Sequence, residues 1–152
     1  MNKSILLSFD VEEFDMPLEY EFPITITEQM ALGMEGLQAI DPVLNYPGIV
    51  STLFTTANFA DYFPSQIVEL SKKHEIASHT YFHSQFENKD LLDSKLKLEE
   101  LTGKTIKGLR MPRMKTIEGK IIAQAGYQYD ASIHPTWLPG RYNNLDLSRT
   151  PY

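Results

Sequence analysis

The stretch Glu75-Ile76-Ala77-Ser78-His79-Thr80-Tyr81-Phe82-His83 runs from a short strand-like segment into two histidines four residues apart. The segment Glu75–Ser78 reads as a buried strand, and polar side chains follow it at once. A spacing of four brings side chains onto one side of a helical turn, which predicts that both imidazoles face the same way. Imidazole is the commonest side-chain metal ligand, and two on one side can grip a single ion. The chain holds only four histidines, the other two being His74 and His134. His74, just ahead of the strand, is expected at the surface.

The pattern on either side of this stretch alternates. Ser4–Phe9 is an apolar run that stops at Asp10, as a buried strand would. After an irregular acidic and aromatic segment, Thr27 is placed to cap a helix reaching about Leu44, interrupted near Asp41-Pro42 and ended by Pro47-Gly48. Ile49–Thr55, rich in β-branched residues, reads as a second strand. Pro64–Lys73 reads as a helix with proline in its first turn. Leu91, Leu92, Leu96, Leu98 and Leu101 recur at helical spacings over 88–102, and Gly103 stops that helix. Ile106–Leu109 is a fourth strand, Thr116–Ala125 a helix ended by Gly126, and Tyr127–Tyr129 a short fifth strand. The tail from His134 shows no clear element. Strand-helix alternation of this kind predicts an α/β fold with parallel strands and right-handed crossovers.

Composition bounds the function. At 152 residues, with 42% hydrophobic and 22% charged residues, the chain is sized for one globular domain over 1–152. A net charge of −6 argues against nucleic acid or an anionic membrane as the main partner. There is no cysteine, so disulfides and thiolate zinc sites are excluded, and any metal must rest on histidine and carboxylate. The N-terminal apolar run is too short for a signal peptide or a membrane span, which predicts a cytoplasmic protein.

Four polar clusters fall where four strands end: Asp10-Val11-Glu12-Glu13, the histidine pair, Arg110-Met111-Pro112-Arg113, and Asp130. In parallel α/β folds the carboxyl ends of the strands carry the chemistry. Asp10 and Glu12 lie two apart and point the same way in extended chain, so one carboxylate is free to bind metal while the other acts as a base. Glu13 rivals Glu12 as ligand if the chain has already turned. His79, His83 and one carboxylate make three protein ligands and leave a fourth position open, the layout of a catalytic zinc site. Arg110, on a stiff exit loop before Pro112, is positioned to pair with Asp10, and Asp130 to orient Arg110. Arg113 is expected to help or to contact substrate. His134 and Trp137, the latter suited to stacking on a sugar face, complete the candidate substrate residues.

In this order the clusters resemble the motifs of the polysaccharide deacetylase family (carbohydrate esterase family 4). Its Thr-Phe-Asp-Asp motif is similar to Ser8-Phe9-Asp10-Val11-Glu12, and its His-x-x-x-His motif to His79–His83. Its Arg-x-Pro motif is similar to Arg110-Met111-Pro112, its late Asp motif to Tyr129-Asp130-Ala131-Ser132, and its Thr-Phe-Phe strand to Leu53-Phe54-Thr55. The resemblance implies a distorted or incomplete (β/α) barrel and metal-dependent, most naturally zinc-dependent, removal of acetyl groups from an amino sugar. It implies Asp10 as base, His79 and His83 as ligands with Glu12, and Arg110 as the tether of Asp10. With no export signal, glycan precursors carried on lipid or nucleotide are the expected carbohydrate substrates.

Two departures stand out. The paired Asp-Asp is replaced by Asp-Val-Glu-Glu, and the family's Leu-x-His motif, whose histidine protonates the leaving amine, is absent. A full eight-stranded barrel takes about 250 residues, whereas five strands are predicted here. The reading is therefore of a C-terminally truncated domain with weak activity, or of a shortened barrel whose open edge is covered by a second copy. Two alternatives accompany the deacetylase reading. One is a metal-free amide hydrolase; the other is an impaired domain that binds glycan or a partner chain.

Overall fold

The structure, a computed structural model, describes residues 5–140 and 142–148. Five parallel strands form its centre: β1 (Ser8–Val11), β2 (Thr52–Thr55), β3 (Glu75–Ser78), β4 (Gly108–Leu109) and β5 (Tyr129–Asp130). They lie side by side in chain order, with no reversal of direction along the sheet. That order is how a (β/α) barrel winds, whereas a doubly wound sheet switches sides partway. The helices between the strands are α1 (Ile26–Ala39), α2 (Asp41–Leu44), α3 (Ala57–Tyr62), α4 (Pro64–Ser71), α5 (Lys89–Thr102) and α6 (Gly119–Gln124).

Alternation along the strands sorts the two faces of the sheet. Val11, Leu53, Ile76 and Leu109 join Met30 and Leu37 of α1, Phe59 of α3, Ile67 of α4, Leu91 and Leu98 of α5 and Ile122 of α6 in one buried cluster. Each such side chain contributes about 1.5–3 kcal/mol by leaving water, so the helices are held to this face. The other face carries Ser8, Asp10, Thr52, Phe54, Glu75 and Tyr129. There the Tyr129 hydroxyl and the Thr52 hydroxyl donate to the two oxygens of Glu75 at 2.9 and 2.8 Å. The Tyr129 ring lies against Gly108, where any Cβ would collide with it.

Several boundaries differ from those the pattern predicts. The expected first strand begins at Ser4, outside the described residues, and observed pairing starts at Ser8. The cap of α1 is Thr25 rather than Thr27: its hydroxyl accepts from the Glu28 N–H while the Glu28 carboxylate accepts from the Thr25 N–H, a reciprocal capping box. The expected break at Asp41-Pro42 is the boundary between α1 and α2. In α5, Leu91 and Leu98 are buried, while Leu92 and Leu96 face solvent. Gly103 ends α5 in the left-handed conformation, as expected. The helix read over 116–125 is confined to Gly119–Gln124. Two elements had no clear signal: α3, and a hairpin of β6 (Trp137–Leu138) with β7 (Tyr142–Asn143) in the tail. His74 is not at the surface but 5% exposed, its Nδ1 accepting the Ser51 N–H at 3.2 Å. Among the described residues no helix is long and apolar enough to cross a membrane.

Candidate active site

The carboxyl ends of the strands converge as the four clusters require. Asp10 and Glu12 leave β1, His79 follows β3, Arg110 follows β4, and Asp130 ends β5. Asp10, Glu12, His79 and His83 line one cleft of about 280 Å³, walled by Phe14, Met16, Tyr20, Met111 and Met114.

His79 and His83 meet, but not on a helical turn. His79 adds one further rung to the sheet, its N–H donating to the Thr55 carbonyl at 2.9 Å. Thr80 then takes a left-handed conformation with φ 65°, which is rare for a β-branched residue. The turn is over-determined by its bonds: Thr80 N–H donates to Ser78 Oγ, Thr80 Oγ1 donates to the Phe82 carbonyl, and the Thr80 and Tyr81 carbonyls accept from Ala57 and Asn58 at the start of α3. A strained loop thus folds the chain back so that the two rings stack, 5.7 Å apart and 26° from parallel. Strain persists only where the surroundings fix it, and it clusters at functional sites.

The donor set is chemically revealing. His79 Nδ1 lies 2.7 Å from the Arg110 carbonyl, which can only accept, so Nδ1 carries the hydrogen and Nε2 in the neutral ring presents a lone pair. His83 Nδ1 lies 2.6 Å from the Asp15 carboxylate, which fixes the same tautomer. Both Nε2 atoms point at one oxygen, Glu12 Oε2, at 2.9 and 3.4 Å. That oxygen is buried and receives no hydrogen bond. Three lone pairs therefore converge on one spot, an arrangement that only a cation, as proton or metal, makes favourable. The three ligand atoms lie within 4.8 Å of one another, and a divalent ion fits their chemistry.

Glu13, the rival ligand, is elsewhere. It is 3% exposed and accepts from the Thr56 hydroxyl at 2.6 Å, from Asn58 Nδ2 at 3.1 Å and from the His83 N–H at 3.1 Å. Asp15, which the sequence reading passed over, also accepts from Ser84 Oγ and Arg113. Burial pushes the Asp15 carboxyl up, but hydrogen bonds from His83 and Ser84 and the charges of His83 and Arg113 outweigh it and hold it below its ordinary value. Burial likewise lowers the His83 imidazole, and the Asp15 hydrogen bond with the Glu12 and Asp15 charges reverses that into a net upward shift.

Arg110 lies beside Asp10. Its guanidinium donates to Asp10 Oδ1 at 2.7 Å and to Ser8 Oγ at 2.8 Å, and lies 4.0 Å above the Phe54 ring. Asp130 does not orient it: Asp130 Oδ1 instead accepts from the backbone N–H and hydroxyl of Ser132, whose Oγ accepts the Met111 N–H at 2.8 Å. Asp130 thus holds Ser132, which in turn holds the backbone of the Arg110 loop at Met111. Arg113 lines the cleft, but its guanidinium is engaged by Asp15, Glu19 and Ser84. His134 and Trp137 do not line this cleft, and Trp137 is 61% exposed on β6.

Comparison with known proteins bears on the family and the fold. The family model described as polysaccharide deacetylase matches residues 2–129. No curated protein matches the sequence. Among solved structures, a Mycobacterium smegmatis protein assigned as a polysaccharide deacetylase is similar at 26% identity over 82% of this chain, with a TM-score of 0.61. The fold is also shared with the allantoinase PuuE (19% identity, 82% of this chain, TM-score 0.61) and with the peptidoglycan deacetylase PdaC of Bacillus subtilis (19% identity, 83% of this chain, TM-score 0.57). The chain spans about half the length of these structures: 49%, 52% and 56% of them in turn. By its matched sequence and by its fold, the chain belongs to the polysaccharide deacetylase family.

Proposed function

We propose that this chain carries the metal-binding and base-bearing site of a hydrolase that removes N-acetyl groups from an amino sugar. The observation that carries the reading is the convergence of Glu12 Oε2, His79 Nε2 and His83 Nε2, all lone pairs, beside a separate carboxylate, Asp10. Zinc suits this donor set best, since borderline-soft imidazoles are joined by one carboxylate. A divalent ion held there supplies Lewis acidity toward the acetyl carbonyl and lowers the pKa of water.

The chain's own residues do the rest. Asp10 takes the proton of the attacking water as general base. Arg110 fixes the Asp10 carboxylate from one side through Oδ1, and the Ser8 hydroxyl and Phe54 ring fix Arg110 in turn. Phe14, Met16, Met111 and Met114 give the cleft an apolar wall for the acetyl methyl group to pack against. Among the described residues, His79 and His83 are taken up by the ligand set and His134 does not line this cleft.

The test uses the zinc-loaded chain and an aryl acetate, whose phenolate leaves unprotonated. Zinc-dependent hydrolysis is expected, falling by about 10²–10⁴-fold in Asp10→Asn, with zinc affinity retained by calorimetry. Hydrolysis that is indifferent to zinc, or unchanged in Asp10→Asn, overturns the reading.

A further inference from the structure

We infer that Asp15 is a positioning residue for the metal centre, aiming the His83 ring and binding three strand-end segments into one frame before any ion arrives. This rests on the metal-site reading above. Asp15 has no atom in the ligand set; it acts from behind. Its Oδ1 takes the His83 Nδ1–H at 2.6 Å, so Nε2 is left as the lone pair facing Glu12. A carboxylate on the far nitrogen of a ligating histidine fixes both tautomer and ring orientation, and raises the basicity of the ligand.

The same carboxylate is a junction. Asp15 lies on the segment leaving β1, 3% exposed, and accepts from Ser84 on the loop after β3 and from Arg113 on the loop after β4. Arg113 also pairs with Glu19 in the 3-10 turn Met16–Tyr20 and donates to Ser84 Oγ at 2.9 Å. Arg113 and Met114 both sit at φ 56°, a left-handed conformation rare outside glycine. Two such residues in succession need their surroundings to hold them, and the anchoring of Arg113 by Asp15, Glu19 and Ser84 does so. Glu13 completes the frame from below, fastening the His83 backbone to Thr56 and Asn58 at the start of α3. The β1-exit segment thus supplies one ligand, Glu12, and then two buried carboxylates that hold the other end of the histidine pair.

The experiment measures zinc affinity of the full chain by calorimetry, together with the ¹⁵N shifts of His83 in the metal-free protein. Asp15→Ala is expected to weaken zinc about 10–100-fold. Asp15→Asn recovers part of this, because its amide oxygen still accepts the Nδ1–H. A merely structural role lowers the melting temperature of the metal-free chain without changing the affinity of the folded fraction. Wild-type affinity in a folded Asp15→Ala overturns the inference while leaving the metal site intact. No zinc uptake by the wild-type chain overturns the metal reading itself. The ¹⁵N spectrum needs no variant: a neutral His83 ring carrying its hydrogen on Nδ1 supports the inference, and a neutral ring carrying it on Nε2 refutes it.

Discussion

Two glycines one turn apart in α1 make opposed predictions from the same substitution. By helix propensity alone, Gly33→Ala and Gly36→Ala are each expected to stabilise by about 0.5–1 kcal/mol. The structure separates them. A Cβ on Gly36 meets nothing within 4 Å, so Gly36→Ala keeps the full gain. A Cβ on Gly33 would lie 2.9 Å from Phe59 Cε2 and nearer still to the Glu12 carbonyl oxygen. Ordinary contact needs about 3.5 Å, so Glu12 or α1 must shift by roughly 1 Å. Phe14 N–H is bonded to the Gln29 carbonyl of the same helix at 3.1 Å, which stops the segment from yielding without losing that bond. Overpacking of this kind costs about 1–3 kcal/mol, more than the helix gain returns. Glu12 carries the oxygen on which both Nε2 atoms converge, so a shift between its segment and α1 lowers zinc affinity as well, by about tenfold, or 1.4 kcal/mol. Urea denaturation and zinc calorimetry on both variants test this. If Gly33→Ala is as stable as Gly36→Ala and binds zinc as the wild type does, the argument that α1 sets the Glu12 position is refuted.

Two further predictions concern buried titrating groups outside the site. Burial, and then the neighbouring Lys73 charge, hold the His74 imidazole below its ordinary 6.5. An unfolded chain takes up that proton where the folded chain does not, so the stability at stake is present above 6.5 and lost as pH falls below it. His74→Gln is expected to flatten the acid limb of a stability–pH profile, and an unchanged limb contradicts this. Tyr127 donates to the Leu91 carbonyl at 2.7 Å, and burial pushes its hydroxyl up to about 12. Stability therefore falls as pH rises past the ordinary value of 10, where the unfolded chain ionises this group first. Tyr127→Phe is expected to cost about 0.5–1.5 kcal/mol at neutral pH and to remove that alkaline fall; a profile identical to wild type speaks against it.

The strands and their polar ends could be read from sequence because buried parallel strands are continuous apolar runs that stop at charged residues, as at Asp10 and Ser78–His79. Glu12 was reachable by the alternation of β1, which continues one residue beyond Val11. The histidine pair was found for a partly mistaken reason: its spacing implied a helical turn, whereas Thr80 in a left-handed conformation does the work, and strain on a threonine leaves no mark in sequence. Asp15 escaped notice because its partners, His83, Ser84 and Arg113, are 68, 69 and 98 residues away. His74 looked exposed since a lone histidine before a strand is usually solvated; only the packing of β2 beside β3 gives it the Ser51 N–H. Asp130 was assigned to Arg110 by proximity of strand ends, but Ser132, two residues on, offers it two donors and wins locally.

Where an ion binds decides what this cleft is. Crystals of the zinc-soaked chain, read by anomalous scattering at the zinc edge, measure this directly. The prediction is one ion ligated by a Glu12 carboxylate oxygen, His79 Nε2 and His83 Nε2, with Asp10 free of it and still paired to Arg110. An ion held through Glu13 or through Nδ1 of either histidine, or no ion between them at saturating zinc, contradicts it.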